Sequence, residues 1–401
     1  MRELFFETFS YFSPKKEHGL KTLYLALALL SLHWSLIVYI NSSFLGQFIS
    51  DASISMLFTF GSFISLFIFL KMPALLRKFG NYRLTILCTL CEIVAILGMA
   101  LSDSMFFSVF FFLLHFVTVP LILLNLDVFI EKIVGSQEKK TGSMRGLYLT
   151  ILSLASAIAP LFSAILIGGE IQSFSPAYIA SAVMLIPFLG IIAFYFKDFK
   201  DSEYKLLSWR DLSHIFVSRT EIRNVFFVQI FLQLFFMWTI LYIPLYMSTV
   251  AGFNWTQIGY ILFAGLMAYV IFEYPIGVIA DKYIGEKEMM AFGFFLIAVS
   301  VSWLAFLPSG AIGLWMIATF LTRTGASFAE ATSESYFFKH TSGADADSIS
   351  LFRMARPISA ILGTVIGSIA LVYVDFNMLF ILLAFLMVPG IFFTLLLKDT
   401  K

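Results

Sequence analysis

Twelve apolar stretches, separated by short polar connectors, run the length of the chain. They cover 22–46, 54–76, 84–101, 105–130, 144–168 and 174–196, then 223–248, 256–279, 287–307, 312–338, 350–372 and 377–398. Each approaches the ~20 residues that a helix needs to cross a bilayer core. The stretches are apolar throughout, unlike the ~10-residue alternating segments of a membrane barrel. Lipid-exposed backbone must pair its hydrogen-bonding groups internally, so each stretch is predicted to be helical. The fold class predicted is an all-α integral membrane protein of twelve transmembrane helices in two pseudo-symmetric six-helix bundles.

The most charged connector, 197–222, divides the stretches six and six. The expected organisation is a cytoplasmic N-terminal segment 1–21, a six-helix bundle 22–196, a cytoplasmic linker 197–222 and a second bundle 223–401. Segment 1–21 mixes Phe5, Phe6 and Phe9 with Arg2, Glu3 and Glu7, which suits an amphipathic segment on the membrane surface or a frayed tail. The halves echo each other. Arg77-Lys78-Phe79-Gly80 reappears as Asp281-Lys282-Tyr283-Ile284-Gly285, Trp34 with Tyr39 as Trp238 with Tyr242, and Arg145 with Pro160 as Arg353 with Ser368. The offset stays between about 204 and 208 positions, which points to a parallel duplication about an axis along the membrane normal.

Charge adds an orientation. The connectors 41–54, 101–105, 168–176, 248–256, 307–312 and 373–377 contain none of the 26 Lys and Arg residues, which crowd the termini and the alternate connectors. Cytoplasmic loops retain basic residues, so both termini are expected in the cytoplasm and the protein in the plasma (cell inner) membrane as a multi-pass chain. Arg323 is the exception, stranded inside the tenth stretch. At 60% hydrophobic and 13% charged residues, a soluble domain is excluded. The basic residues are scattered over short loops, so no nucleic-acid partner is expected. No secretory signal peptide is expected either. Cys88 and Cys91 share the third stretch and read as buried, inert thiols. No phosphate-binding loop, nucleophile elbow or His-Glu-x-x-His motif occurs. Neither a cofactor nor a bound metal is expected, and the chain is not an enzyme.

The segment Gly277-Val-Ile-Ala-Asp281-Lys282-Tyr-Ile-Gly285-Glu-Lys287 is similar to a loop signature, G-x-x-x-D-R/K-x-G-R/K-R/K, with one extra residue between Lys282 and Gly285. The corresponding first-half stretch, Met72 to Arg83, has Leu76 where the acid is expected. With its six-plus-six pattern and charged central loop, the whole chain resembles a transporter of the major facilitator superfamily. The resemblance implies alternating access around a central site lined by spans one, four, seven and ten. It also implies a cytoplasmic gate in which Asp281 docks on the start of span five beside Arg145. Gly277 would permit close helix approach there, with Lys282 and Gly285 completing the loop. Glu273 is assigned to this gate. Asp127 and Glu131 are expected to pair with Arg145, and Arg353 and Arg356 to lie near Glu334.

Charged groups at membrane depth are functional candidates by default. Arg323, Ser327, Glu330 and Glu334 recur at helical spacing along one stripe of span ten. Arg323 either contacts substrate or is neutralised by Glu330 or Glu273. His33, His115, Gln229 and Gln233 fall near the midplane of cavity spans, with Trp34, Trp238 and Tyr242 as the aromatic candidates. Glu92, in span three, is expected off the cavity face. Glu330, His33 and His115 are the candidate proton carriers. The leading reading is a monomeric secondary transporter in the lipid bilayer, moving a small-molecule substrate with an anionic group on its own gradient or on coupled protons. Two alternatives stay open: proton-driven export of hydrophobic or amphipathic compounds, and a non-transporting sensor or receptor on the same scaffold.

Overall fold

The computed structural model describes residues 14–134, 141–168, 173–201, 213, 216–280, 284–340 and 346–398. Twelve long helices account for most of them, and no strand occurs among the described residues. The first six are α1 (Pro14–Ile37), α2 (Asp51–Phe79), α3 (Asn81–Leu101), α4 (Met105–Val134), α5 (Thr141–Ile167) and α6 (Ser175–Tyr195). The second six are α7 (Thr220–Thr249), α8 (Trp255–Ile279), α9 (Glu286–Leu304), α10 (Ile312–Lys339), α11 (Ala346–Tyr373) and α12 (Met378–Leu395).

The apolar run 22–46 is not one helix. α1 ends at Ile37, and a separate one-turn helix, Asn41–Leu45, follows it. Asn41 is drawn inward: its Oδ1 accepts from the Tyr178 hydroxyl at 2.8 Å and its Nδ2 faces His115 Nε2 at 3.3 Å. Anchoring this amide to α4 and α6 is incompatible with continuing α1 straight through the break.

Helix packing repeats between the halves. In the first, α1 packs on α5 and α6, and α3 on α4 and α6; in the second, α7 packs on α11 and α12, and α9 on α10 and α12. Two turns carry the same symmetry. Gly80, at φ 76°, precedes α3, and Gly285, at φ 95°, precedes α9. These are left-handed values that only glycine adopts without strain, and the two positions lie 285 − 80 = 205 apart. An acid serves each following helix, as the positive end of a helix dipole favours. Asp201 Oδ1 accepts from the Asn81 N–H at 2.9 Å, and Glu286 occupies the first turn of α9, held by Lys339 and Ser335.

The halves meet along two lines, α2 against α11 and α5 against α8. With an even number of long helices, Pro14 and Lys398, the outermost described residues, lie toward one face, here the terminal face; the opposite side is the far face. One continuous apolar core joins the halves through Ile37, Phe44, Phe58 and Ile167 of the first and Trp238, Tyr246, Trp255 and Trp315 of the second. A separate core, from Leu20, Leu27, Met72, Leu126 and Phe188, stays within the first half toward the terminal face. Large apolar side chains such as Phe60, Phe67, Ile165, Phe194, Phe292 and Phe295 are exposed on the outer surface. An apolar surface of that kind is matched by lipid.

Eleven of the twelve helices are long and apolar enough to cross a membrane. The other, α10, has the length (28 residues) without the hydropathy. Thr319, Thr322, Arg323, Thr324, Ser327, Thr332 and Ser333 are all buried along it. Its packing against both α8 and α9 shelters these groups from lipid.

Candidate functional site: a solute cavity between the halves

A cavity of about 380 Å³ lies between the two halves. Helices α1, α4, α7 and α10 contribute Trp34, His115, Gln229, Gln233, Arg323 and Glu330 to its wall. The α2, α5, α8 and α11 helices close the sides with Phe58, Ser153, Tyr269, Glu273, Arg353 and Arg356 among others.

Toward the far face the cavity is sealed by short-range contacts between halves. Ser55 Oγ and the Tyr242 hydroxyl stand 3.0 Å apart, and Thr59 Oγ1 lies 2.6 Å from Thr364 Oγ1. Phe174 meets Trp255 edge to face, with centroids 5.5 Å apart. Toward the terminal face the link is looser and charged. Arg353 reaches Glu334 at 3.4 Å within its own half and Asp127 of the other half at 3.8 Å. The Arg356 guanidinium lies 5.4 Å from the centre of the Trp34 ring. The Arg353–Asp127 pair, at 3.8 Å with both side chains about a third exposed, contributes on the order of 0–1 kcal/mol, less than a shared apolar core. Among the described residues, hydroxyl and aromatic contacts between the halves close the far side, and the Arg353–Asp127 ion pair spans them on the terminal side.

Arg323 sits deep in the wall and is 2% exposed. Its guanidinium lies 5.3 Å from the centre of the Phe235 ring, and its Nη1 has no hydrogen-bond partner among the described residues. The Tyr39 hydroxyl lies beside it. The Tyr269 hydroxyl, on the same cavity wall, is likewise unpartnered among the described residues and lies within electrostatic reach of Arg323, Glu330 and Glu273. Among the described residues no carboxylate comes within ion-pair distance of Arg323. Glu273, one of the two acids expected to neutralise it, instead accepts from Ser153 Oγ across the halves at 2.7 Å. A buried cation and a buried hydroxyl, both with unused donors and both on one cavity wall, form a receptor for an acceptor group.

Four expected cavity residues lie outside that wall. The Trp238 indole is spent on the Gly363 carbonyl at 2.7 Å, and Tyr242 on the far-face seal. Ser327 donates to the Thr324 carbonyl within α10. His33 is fully buried behind the wall. It belongs to a polar trio with Glu92 and His115, in which Glu92 Oε1 stands 3.0 Å from His33 Nε2 and 2.6 Å from His115 Nδ1. Glu92, expected off the cavity face, is absent from the cavity wall but is the centre of this trio. Tyr39 and Tyr269 were not anticipated. Tyr39 appears in the sequence only as a repeat partner of Tyr242, and no spacing distinguishes Tyr269 among the 16 tyrosines.

At the terminal face, Asp281 and Lys282 lie outside the described residues, as do the side chains of Arg145 and Glu131. The Asp127 partner seen is Arg353. A Cβ on Gly277 would meet no described atom within 4 Å; the side chains at the start of α5, where it was expected to pack, lie outside the described residues. Gly285 is required instead by its backbone turn.

Two bundles of one packing pattern around a central polar cavity define a multi-pass membrane transporter. The profile of the Major Facilitator Superfamily matches residues 23–270 and 225–401, and the chain belongs to that family. No curated protein sequence matches it. Among solved structures it is similar to the human organic anion transporter MFSD10 (TETRAN), with 15% identity, TM-score 0.68, and coverage of 95% of this chain and 100% of that one. It is also similar to the nucleoside transporter NupG, with 12% identity, TM-score 0.72, and coverage of 94% and 99%. At these identities the likeness carries the fold.

Proposed function

We propose that the protein is a secondary transporter for a small solute bearing an anionic group, bound in the central cavity by Arg323, Tyr39 and Tyr269. The observation that carries this is the unpartnered Nη1 of Arg323 in a cavity wall that also holds the unpartnered Tyr269 hydroxyl. A carboxylate or phosphate oxygen would satisfy both with charge-assisted hydrogen bonds. An organic anion is also what MFSD10 is described as carrying.

The bundles 22–196 and 223–401 exchange exposure of this site by rocking about it, and the cavity's terminal end faces the cytoplasm, where the basic connectors lie. Glu330 takes up and releases a coupled proton. It lies within electrostatic reach of Glu273, Glu334, Arg353 and Arg356, so its charge bears on both the Arg323 pocket and the terminal-face latch. The working unit is a single chain in the inner membrane.

Uptake of a panel of organic anions into proteoliposomes, with and without a pH gradient, tests this reading. Arg323→Gln should lower anion uptake at least about tenfold, the equivalent of ~1.4 kcal/mol, while Arg323→Lys retains part of it. Equal uptake by wild type and Arg323→Gln would refute the anion site. Uptake indifferent to the pH gradient would remove the proton.

A further inference from the structure

Behind the cavity wall, three side chains from three helices converge on one point. His33 Nε2 (α1), Glu92 Oε1 (α3) and His115 Nδ1 (α4) all lie within 4.8 Å of one another, and the three residues are buried. Nothing in the proposed solute site uses them. We propose that this trio is a binding site for a divalent d-block cation of the zinc type, loaded from the cavity.

The donor set is the first argument. Two imidazoles and one carboxylate are the ligands of open three-protein-ligand zinc sites. The second is how the three side chains are held from outside. Bound imidazoles and carboxylates are oriented by a hydrogen bond on the atom turned away from the ion, and each member of the trio has one. His33 Nδ1 lies 2.7 Å from Ser181 Oγ and 3.2 Å from Ser181 O. Glu92 Oε2 accepts from Thr118 Oγ1. His115 Nε2 faces the Asn41 amide at 3.3 Å, and turning that amide over presents its oxygen, with Tyr178 then accepting from Nδ2.

The third argument is charge. Ser181 Oγ donates to the His33 carbonyl at 2.9 Å, which leaves it to accept from Nδ1–H. His33 then turns a bare Nε2 toward a carboxylate oxygen 3.0 Å away. Two lone pairs cannot face each other in a dry interior without a cation between them. Among the described residues no Lys or Arg pairs with Glu92. A proton fills the gap at the present spacing. Ligand atoms on a tetrahedral zinc ion stand roughly 3.3 Å apart, so Glu92 must part from each imidazole by less than an ångström while the two imidazole nitrogens, within 4.8 Å of each other, settle to that spacing. Binding displaces the protons shared within the trio, which makes affinity rise with pH. His115 and Asn41 both reach the cavity wall, which gives the ion its entry and its open fourth position.

The test uses the purified, chelator-stripped full-length protein in detergent. Titration with zinc in competition with an indicator, and with cobalt followed by its visible spectrum, should give one ion per chain in tetrahedral nitrogen and oxygen coordination, with proton release on binding. Glu92→Gln, which keeps the side-chain shape, should weaken binding at least 100-fold, and Thr118→Val about 10- to 100-fold, as loss of an orienting partner does. Where a variant is not monodisperse, X-ray absorption on the wild-type zinc form decides, since two imidazoles and a carboxylate are required. No tight site in wild type, equal affinity in Glu92→Gln, or sulfur ligation through Cys88 and Cys91 would each overturn the proposal and leave the trio a proton site alone. Solute uptake is not the readout, so failure here leaves the anion-transport reading standing.

Discussion

Tyr269 illustrates how a single atom separates a structural role from a functional one. A buried hydroxyl without a partner forfeits its hydrogen bond to water and gains nothing from folding. Removing it should therefore leave stability unchanged or slightly higher. Hydrogen bonds to charged groups are worth about 1.5–3 kcal/mol, so the same change should weaken anion binding at least about tenfold. Tyr269→Phe is expected to keep or raise the melting temperature while raising the KM for the solute; a lowered melting temperature with unchanged KM would return the residue to the scaffold. The sequence made Arg323 visible because it is one cation in an apolar run with no topological reason to be there. It gave no such contrast for Tyr269. The His33–Glu92–His115 trio was equally hidden, because its members lie 59 and 23 positions apart on three helices and only packing assembles them.

At the level of elements, the crossing of α9 and α10 sets how accurately Arg323 is held. Gly293 and Gly325 face each other there, and a Cβ on Gly325 would lie 2.7 Å from the Gly293 carbonyl oxygen and 2.8 Å from Ile297 N. Both obstacles are backbone, so the helices themselves must part. Gly325→Ala is expected to destabilise the protein by roughly 1–3 kcal/mol, the usual cost of overpacking, and to impair uptake by displacing Arg323 two residues away. Thermal unfolding paired with transport kinetics checks both. Existence and order of the helices were legible from apolar length alone. The break after Ile37 was not, since apolar residues flank Asn41-Ser42-Ser43 on both sides and the tether on Asn41 comes from α4 and α6.

For the whole molecule, the two faces differ in the kind of contact that closes them. Among the described residues, the far face shares an apolar core, whereas Arg353 and Asp127 pair across the halves at the terminal face. Transport requires the far-face seal to open, so locking it should stop turnover. A Thr59→Cys and Thr364→Cys pair replaces two hydroxyls 2.6 Å apart. Oxidation is expected to abolish uptake, and reduction to restore it; full uptake by the cross-linked protein would rule out opening along α2 and α11. The duplication behind this geometry could be read from the near-constant offset, and the Gly80 and Gly285 turns give it a structural basis. Which face is sealed could not be read, because charge orients a chain without saying how its halves are tilted.

The polar stripe of α10 bears on how the protein is made. An arginine at the centre of a membrane helix costs about 2.5–3.5 kcal/mol on insertion scales, and the buried Thr and Ser residues around it supply little in return. Alone, α10 is a poor candidate to leave the translocation channel for lipid. Its partners α8 and α9 precede it in the chain, so they are in place to receive it as it emerges. A leucine at position 323 would ease that passage while removing the charge on which the proposed anion site depends. On this reading, α10 is a segment that the membrane accepts only in company.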